Sequence, residues 1–469
     1  MEVLLVEPPA VTNMGSLRVL GSIGTFKADM AWPPLDLMII SGLLKEHKIS
    51  STIYDANTLR ATFTDLSKKV QEEDPKMVVF TTSTTSIMHD AGVAKAVKEV
   101  SEDILTVAIG THVMALPEET LKEYPYIDVC VYSEPELPVL DIIKEGYKLE
   151  NIKGISYRKG SDIIKTTPHT LCHNMDAFGF PSHDKIPLEL YRDPLMRKSP
   201  MTITYGQRGC INRCTYCCST FYGPLRHRSI DHLIGELKWI EELGIKEIRF
   251  FDMGFTNNLG WAEKLLNKMK VEGIKLTWNC NARSDRLPDE LLVKMKEAGC
   301  HAISIGGESG DPTILKNVKK NVTPELIKSA VERTRRAGIS PMVYFMMGLP
   351  GETRETAQRT INFAKEINPD IITFGVATPH PGTEFHNYIK ENKYFGSYDW
   401  SQYDPNKKPV FSYPEFSADE IYETMKHGYQ SFYLRPSYVL RRMVSMRTPL
   451  DVKNNFRNFI GFLRRYIVN

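Results

Sequence analysis

Three cysteines stand at the spacing x3 then x2 in Gly209-Cys210-Ile211-Asn212-Arg213-Cys214-Thr215-Tyr216-Cys217, directly after the apolar run 201–205. A loop leaving a strand can turn all three thiols to one side. Soft thiolates favour zinc and iron-sulfur clusters over hard cations. Structural zinc normally takes four protein ligands. Three cysteines without a clear fourth suggest a cluster whose last iron is left open to a small molecule. Three buried or zinc-binding cysteines are the alternative that the spacing alone leaves open. Cys218 follows directly and reads as a spare thiol.

The elements that must hold this loop are an alternation of strand and helix. Strands are expected at 201–205, 247–251, 275–280, 302–305, 342–347 and 371–376, and helices at 230–243, 261–270, 289–297, 324–337 and 355–366. Repeated right-handed crossovers curl such a sheet toward a barrel, with functional residues at the strand C-terminal ends. Upstream, residues 1–150 carry β-branched runs at 3–6, 51–54, 77–81, 105–109 and 129–132 between helical patterns. That order predicts a doubly wound parallel sheet, which binds ligands at the carboxyl ends of its strands. Residues 151–198, with a small strand pair and a proline-rich passage, read as a linker. The barrel is expected over 199–395 and a mostly helical region over 396–469.

The cysteine motif, with the aromatic Tyr216 before its last member, resembles the signature of the radical S-adenosylmethionine (SAM) superfamily. The resemblance implies that Cys210, Cys214 and Cys217 hold a 4Fe-4S cluster whose fourth iron is chelated by SAM, and that the barrel is the family's open (β/α)6 partial TIM barrel. By the same resemblance Tyr216, Asp252, Arg283 and Glu308 are cofactor-binding. Asp252 lies in a segment like the one that runs along the methionine part of SAM. Arg283 follows the next strand, and Glu308 follows Gly306-Gly307, where glycines permit close backbone approach. Lys319 and Lys320 stand where the family often carries a basic residue near the SAM carboxylate.

The first domain resembles the Rossmann-like cobalamin-binding domain of one radical SAM branch. The matching stretches are Glu7-Pro8-Pro9, Trp32-Pro33-Pro34-Leu35, Tyr54-Asp55-Ala56-Asn57, Thr81 through Ser86, Gly110-Thr111-His112 and Ser133-Glu134-Pro135-Glu136. Thr82, Ser83, Gly110, His112 and Glu134 are the implied corrin contacts, with His112 not a metal ligand. The sequence departs from the cobalamin motif Asp-x-His-x-x-Gly, having Asn57 in place of histidine and Arg60 in place of glycine. A histidine of that loop is therefore not expected beneath cobalt. A Rossmann-like domain that has lost its ligand is the alternative.

Together these resemblances imply a cobalamin-dependent methyltransferase of the radical SAM class that adds a methyl group to an unactivated carbon through a deoxyadenosyl radical. Cyclisation, oxidation or rearrangement would share every motif quoted. The substrate is left open among peptide side chains, lipids, tetrapyrroles and small-molecule precursors, and no acid or base is singled out. A flavodoxin or ferredoxin is the implied electron donor. Lys plus Arg, 59, nearly balances Asp plus Glu, 57, so charge gives no reason to expect nucleic acid. The scattered remaining cysteines suit a reducing cytoplasm, and no apolar run of membrane-spanning length occurs. A helical apolar pattern over 452–467, with Arg457, Arg464 and Arg465 alongside, reads as a basic amphipathic last helix.

Overall fold

A computed structural model describes residues 1–12, 15–16, 18 and 30–445. The basic helix expected over 452–467 lies outside the described residues.

The first sheet has seven strands: β1 (Val3–Glu7), β2 (Ser51–Asp55), β3 (Met77–Thr81), β4 (Leu105–Ile109), β5 (Val129–Val131), β6 (Ile155–Lys159) and β7 (Asp162–Lys165), in the order β2-β1-β3-β4-β5-β6-β7. The first five are parallel. Every residue of β1 and β3 is buried, as in sheets covered by helices on both faces. Alternate side chains feed separate cores. Val3, Leu5, Met77 and Val79 meet the helix Leu35–Glu46, while Leu4, Val6, Val78 and Phe80 pack with residues of the helices Phe63–Glu73 and Gly92–Val100. The strand order reverses between β1 and β3, the switch point at which such sheets open a crevice.

The stretch expected as a linker is more tightly integrated than its proline content suggests. β6 pairs antiparallel with β5 and β7 with β6, extending the sheet. Met175, Phe178 and Tyr191 beyond it are buried in the first domain's core. Apolar burial holds this stretch down, which a reading of turn residues alone does not register.

The second sheet is all parallel in the order β15-β14-β13-β12-β11-β8, with β8 (Met201–Thr204), β9 (Gln207–Arg208), β10 (Arg226–His227), β11 (Glu247–Phe250), β12 (Thr277–Ala282), β13 (Cys300–Glu308), β14 (Ser340–Met347) and β15 (Ile371–Val376). The six strands form a sheet whose two end strands are not paired to each other, the open form that the resemblance implies. β9 and β10 form a separate antiparallel pair. Met201, Ile203, Tyr205 and Phe251 share one apolar cluster with Leu35, Phe178 and Tyr191, so the barrel's first edge is seated on the Rossmann-like domain. In β14 and β15 the side chains alternate between buried and half-buried, leaving one face of these strands accessible. The helix Ala418–Tyr433 covers the opposite edge, where Tyr429 and Tyr433 donate to the carbonyls of Phe374 and Ile372 at 2.8 and 2.7 Å. Between 396 and 413 the chain is mainly irregular, with a single 3-10 turn at Trp400–Gln402 and a further turn at 405–406.

Candidate active site

The cysteine loop runs from β9 to β10 and is pinched at its base. Gly209 has φ +85°, and a Cβ there would sit 2.4 Å from the Pro224 carbonyl oxygen, so only glycine fits. Cys210, Cys214 and Cys217 are half-buried. Burial raises the Cys217 thiol, and the neighbouring charges of Cys214 and Cys210 add to the rise. Donors converge on them. The Asn212 backbone N–H points to Cys210 Sγ at 3.4 Å, its Nδ2 to Cys214 Sγ at 3.2 Å, and the Ser219 N–H to Cys217 Sγ at 3.4 Å. Asn257 Nδ2 lies 3.7 Å from Cys210 Sγ. Such donors stabilise thiolates and set the potential of a cluster. Among the described residues no three His, Cys, Asp or Glu side chains close around a single ion. Cysteines that each take a different iron need no such closure, and the trio fits a cluster better than one zinc.

Next to the sulfurs lies an ionic group drawn from three barrel loops. Glu308 ends β13 with φ 60°, a left-handed conformation uncommon outside glycine. Lys320 Nζ donates to its Oε1 at 2.7 Å. Tyr216 bonds the same carboxylate, and burial followed by that charge lifts the phenol well above its ordinary range. Burial works against the Lys320 ammonium, but the charges of Glu308 and Cys214 outweigh it and raise its pKa. A Cβ on Gly306 would stand 2.6 Å from both Glu308 Oε1 and Lys320 Nζ, which explains the glycine. Arg283 donates to Asp285 at 3.0 Å and to the Lys320 carbonyl at 3.1 Å. Asp252 serves the loop's entry: its Oδ1 accepts the Gly206 and Gln207 N–H groups at 2.7 and 3.0 Å. Its Oδ2 is buried without a partner, and burial pushes its pKa up to about 7. Tyr216, Arg283 and Glu308 thus gather about Lys320, and Asp252 stands beneath the loop. Lys319 turns away to an exposed Glu384.

The strand ends of the first domain present different chemistry. Thr82 Oγ1 donates to the Ile109 carbonyl at 2.8 Å, and Ser83 Oγ meets Ser86 Oγ at 2.8 Å. Gly110 has φ +116°, and its Cβ would lie 2.2 Å from the Thr82 carbonyl oxygen. His112 is buried, with Nδ1 3.4 Å from Thr84 Oγ1 and its ring edge-on to Trp400 at 5.3 Å. Burial first, then the nearby His380, lowers its pKa to about 3, and burial does the same to His380. His380 Nε2 and the Tyr403 hydroxyl are buried and unpartnered. Small hydroxyls, a tight glycine and unpaired neutral polar groups suit a flat macrocycle edged with amides. Glu134 differs from the rest: it takes both guanidinium nitrogens of Arg226 and is drawn toward the barrel. Asn57 is held at both ends by the Ser16 backbone, at 3.0 and 3.1 Å. Arg60 has φ 58°, so the position that is glycine in the cobalamin motif keeps a glycine-like backbone here.

Asn257, Arg208, Arg226, His380 and Tyr403 were not singled out by spacing. Only Asn212 carried a local signal, its place inside the cysteine motif. Gly382, just past β15, links the regions: its Cβ would lie 2.6 Å from the Phe221 ring of the cysteine loop and 3.3 Å from Ala115 of the first domain. The ligand-binding ends of both sheets therefore meet.

Two family models match the chain, the radical SAM superfamily over residues 204–364 and the B12 binding domain over residues 21–143. An uncharacterized methyltransferase of Pyrococcus horikoshii is 34% identical over 449 residues, covering 94% of each chain. An anaerobic magnesium-protoporphyrin IX monomethyl ester cyclase of Cereibacter sphaeroides is 27% identical, covering 93% of this chain and 71% of its own. Two solved structures share the fold. The cobalamin-dependent SAM radical enzyme OxsB, with aqua-cobalamin and SAM bound, matches with TM-score 0.76 at 17% identity over 100% of this chain and 72% of its own. The radical SAM methyltransferase TsrM of Kitasatospora setae, with cobalamin and a 4Fe-4S cluster bound, matches with TM-score 0.67 at 18% identity over 84% and 75%.

Proposed function

The chain belongs to the cobalamin-dependent radical SAM methyltransferase family, and from that premise we propose that it adds a methyl group to an unactivated carbon of its substrate. The carrying observation is the meeting of the two sheets' ligand-binding ends at His112, His380 and Gly382. A methyl carrier in the first domain and a radical source in the second must both reach one carbon. Contact between their loops supports that reach.

When bound, the reduced cluster and SAM supply a radical that activates a carbon, and the corrin supplies the transferable methyl group. The chain's own residues position and shield. Cys210, Cys214 and Cys217 hold the cluster as thiolates, with Asn212 and Ser219 donating to the sulfurs. Lys320, Glu308, Tyr216 and Arg283 recognise SAM, a zwitterionic ligand that a set of paired opposite charges can match group for group. Asp252 fixes Gly206 and Gln207 at the start of the loop. Thr82, Ser83, Gly110 and His112 line the corrin side, while Trp400 and Tyr403 shut out water, since binding and orientation are the protein's share of cofactor chemistry. An electron must come from a reduced flavodoxin or ferredoxin, as in a reducing cytoplasm. Among the described residues no helix is long and apolar enough to cross a membrane.

The cyclase relative favours a second reading, in which the same radical closes a ring. Trideuteromethyl-labelled SAM separates the two. Label in a new product, formed by the reduced, cobalamin-loaded protein in host metabolite extract, supports methylation. Deoxyadenosine formed with unlabelled product supports the second.

A further inference from the structure

The loop that carries the three cysteines has a neck whose own chemistry works against closing it. β9 and β10 are two residues each, and Arg208 and Arg226 stand directly opposite one another. Like charges facing across an antiparallel pair repel, and both side chains are buried, which magnifies the repulsion. The counter-charges come from the other domain. Glu134 and Glu136 flank Pro135 just beyond β5. Glu134 takes the Arg226 fork, Nη1 to Oε2 at 2.8 Å and Nη2 to Oε1. Arg208 Nη2 donates to Glu136 Oε1 at 2.5 Å, with its Nη1 3.7 Å from Glu134 Oε1. Arg226 also reaches into the loop, donating to the Tyr222 carbonyl at 2.7 Å. The Arg208 guanidinium lies over Phe178 and Tyr205, so the group has little room to move.

We propose that Glu134 and Glu136 of the Rossmann-like domain are positioning residues for the iron-sulfur loop, neutralising the arginine neck so that residues 209–225 hold the cysteines in place. Glu134 was expected as a corrin contact; its carboxylate is committed to this clamp instead. The proposal rests on the reading that the loop carries a cluster, but the clamp itself acts on the metal-free chain.

Glu134→Gln keeps shape and removes charge, and Arg226→Lys keeps charge and removes the fork. The full chain is purified anaerobically, and amide hydrogen exchange is followed without metal. Iron and cobalamin uptake are then measured on reconstituted samples. Exchange over 209–225 is expected to quicken by about tenfold or more in Glu134→Gln, because a broken buried pair leaves an uncompensated charge, and by less in Arg226→Lys, which keeps the charge and loses the second hydrogen bond of the fork. Exchange at β1 and β3 and cobalamin uptake should match the parent chain, while iron retained per chain falls by at least about half. Glu136→Gln should show the same pattern more weakly, since Arg208 keeps Glu134 within reach. Unchanged exchange over 209–225 in both main variants would overturn the proposal, as would quickening spread evenly through β1 to β5. A parent chain that binds no iron would remove the functional reading instead, and the metal-free exchange would still judge the clamp.

Discussion

The two ends that face each other in this molecule are built from opposite chemistry. At the barrel end the groups beside the sulfurs are ionic: Lys320 against Glu308 and Arg283 against Asp285. Around His112 at the Rossmann end, two buried groups without partners are neutral, His380 Nε2 and the Tyr403 hydroxyl, and His112 itself is held uncharged by burial. The charges there are spoken for. Glu7 and Asp90 share Arg18 at 3.2 and 2.8 Å, and Glu134 is given to Arg226. A zwitterionic ligand and a neutral macrocycle make those opposite demands. On the proposed reading, the two cofactors would be told apart by charge before shape.

The sharpest break of this division is Cys214→Ala. Loss of one of three ligands should leave the purified chain without the brown absorbance of a cluster and without detectable SAM cleavage. Cobalamin uptake should survive, because Cys214 belongs to the loop between β9 and β10, whereas Thr82, Ser83, Gly110 and His112 stand at the strand ends of the first domain. Loss of both cofactors together would mean that the two ends load as one unit.

Lys320→Met comes next. It strands Glu308 in a buried site, where breaking an ion pair costs roughly 3–5 kcal/mol. SAM affinity of the cluster-loaded protein, read by calorimetry, should fall at least about tenfold, each tenfold being about 1.4 kcal/mol. Gly110→Ala is the Rossmann-side counterpart. Its methyl group would meet the Thr82 carbonyl at 2.2 Å on a backbone of φ +116°. Strain and crowding together cost roughly 2–5 kcal/mol, measurable by urea unfolding. Cobalamin uptake should drop while cluster content holds.

Asp252 sharpens the contrast through pH. Its folded pKa, raised by burial from 3.8 to about 7, exceeds the unfolded value. Between those values the native chain holds a proton that the unfolded chain has lost. Stability from this group is therefore full below pH 4, declines by up to about 1.4 kcal/mol per pH unit as pH rises to 7, and is flat above it. Asp252→Asn keeps the acceptor for Gly206 and Gln207 and cannot ionise. Unfolding curves from pH 5 to 8 should lose that slope in the variant.

What was legible in the sequence was local. The cysteine trio, Tyr216 and the Gly306-Gly307-Glu308 strand end are read within a few residues, and each sits at the cluster end of the barrel. Arg226 and Glu134 are 92 residues apart and no pattern joins them. β6 and β7 look like an isolated hairpin until β5 is seen to offer an edge. His380 and Tyr403 acquire meaning only when the segment 398–406 is laid against Thr85 and His112. Local chemistry announces the cluster end, whereas the corrin end is assembled by tertiary contact.

The smallest effect tests the finest distinction, between adjacent lysines. The resemblance admitted both Lys319 and Lys320 near the SAM carboxylate. Lys320 is buried on Glu308, whereas Lys319 reaches outward to Glu384 at 2.5 Å, with both side chains more than half exposed. An exposed pair of this kind contributes about 0–1 kcal/mol and is screened by salt. The Lys319 carbonyl, which accepts from Asn212 at 2.8 Å, is backbone and persists in Lys319→Ala. Its left-handed φ of 54° is no harder for alanine than for lysine. The variant should therefore keep its cluster, bind SAM within about twofold of the parent chain, and lose even that difference in molar salt. A loss as large as that of Lys320→Met would mean that the charge reading SAM enters from the surface, and the ionic group around Glu308 would then be scaffold.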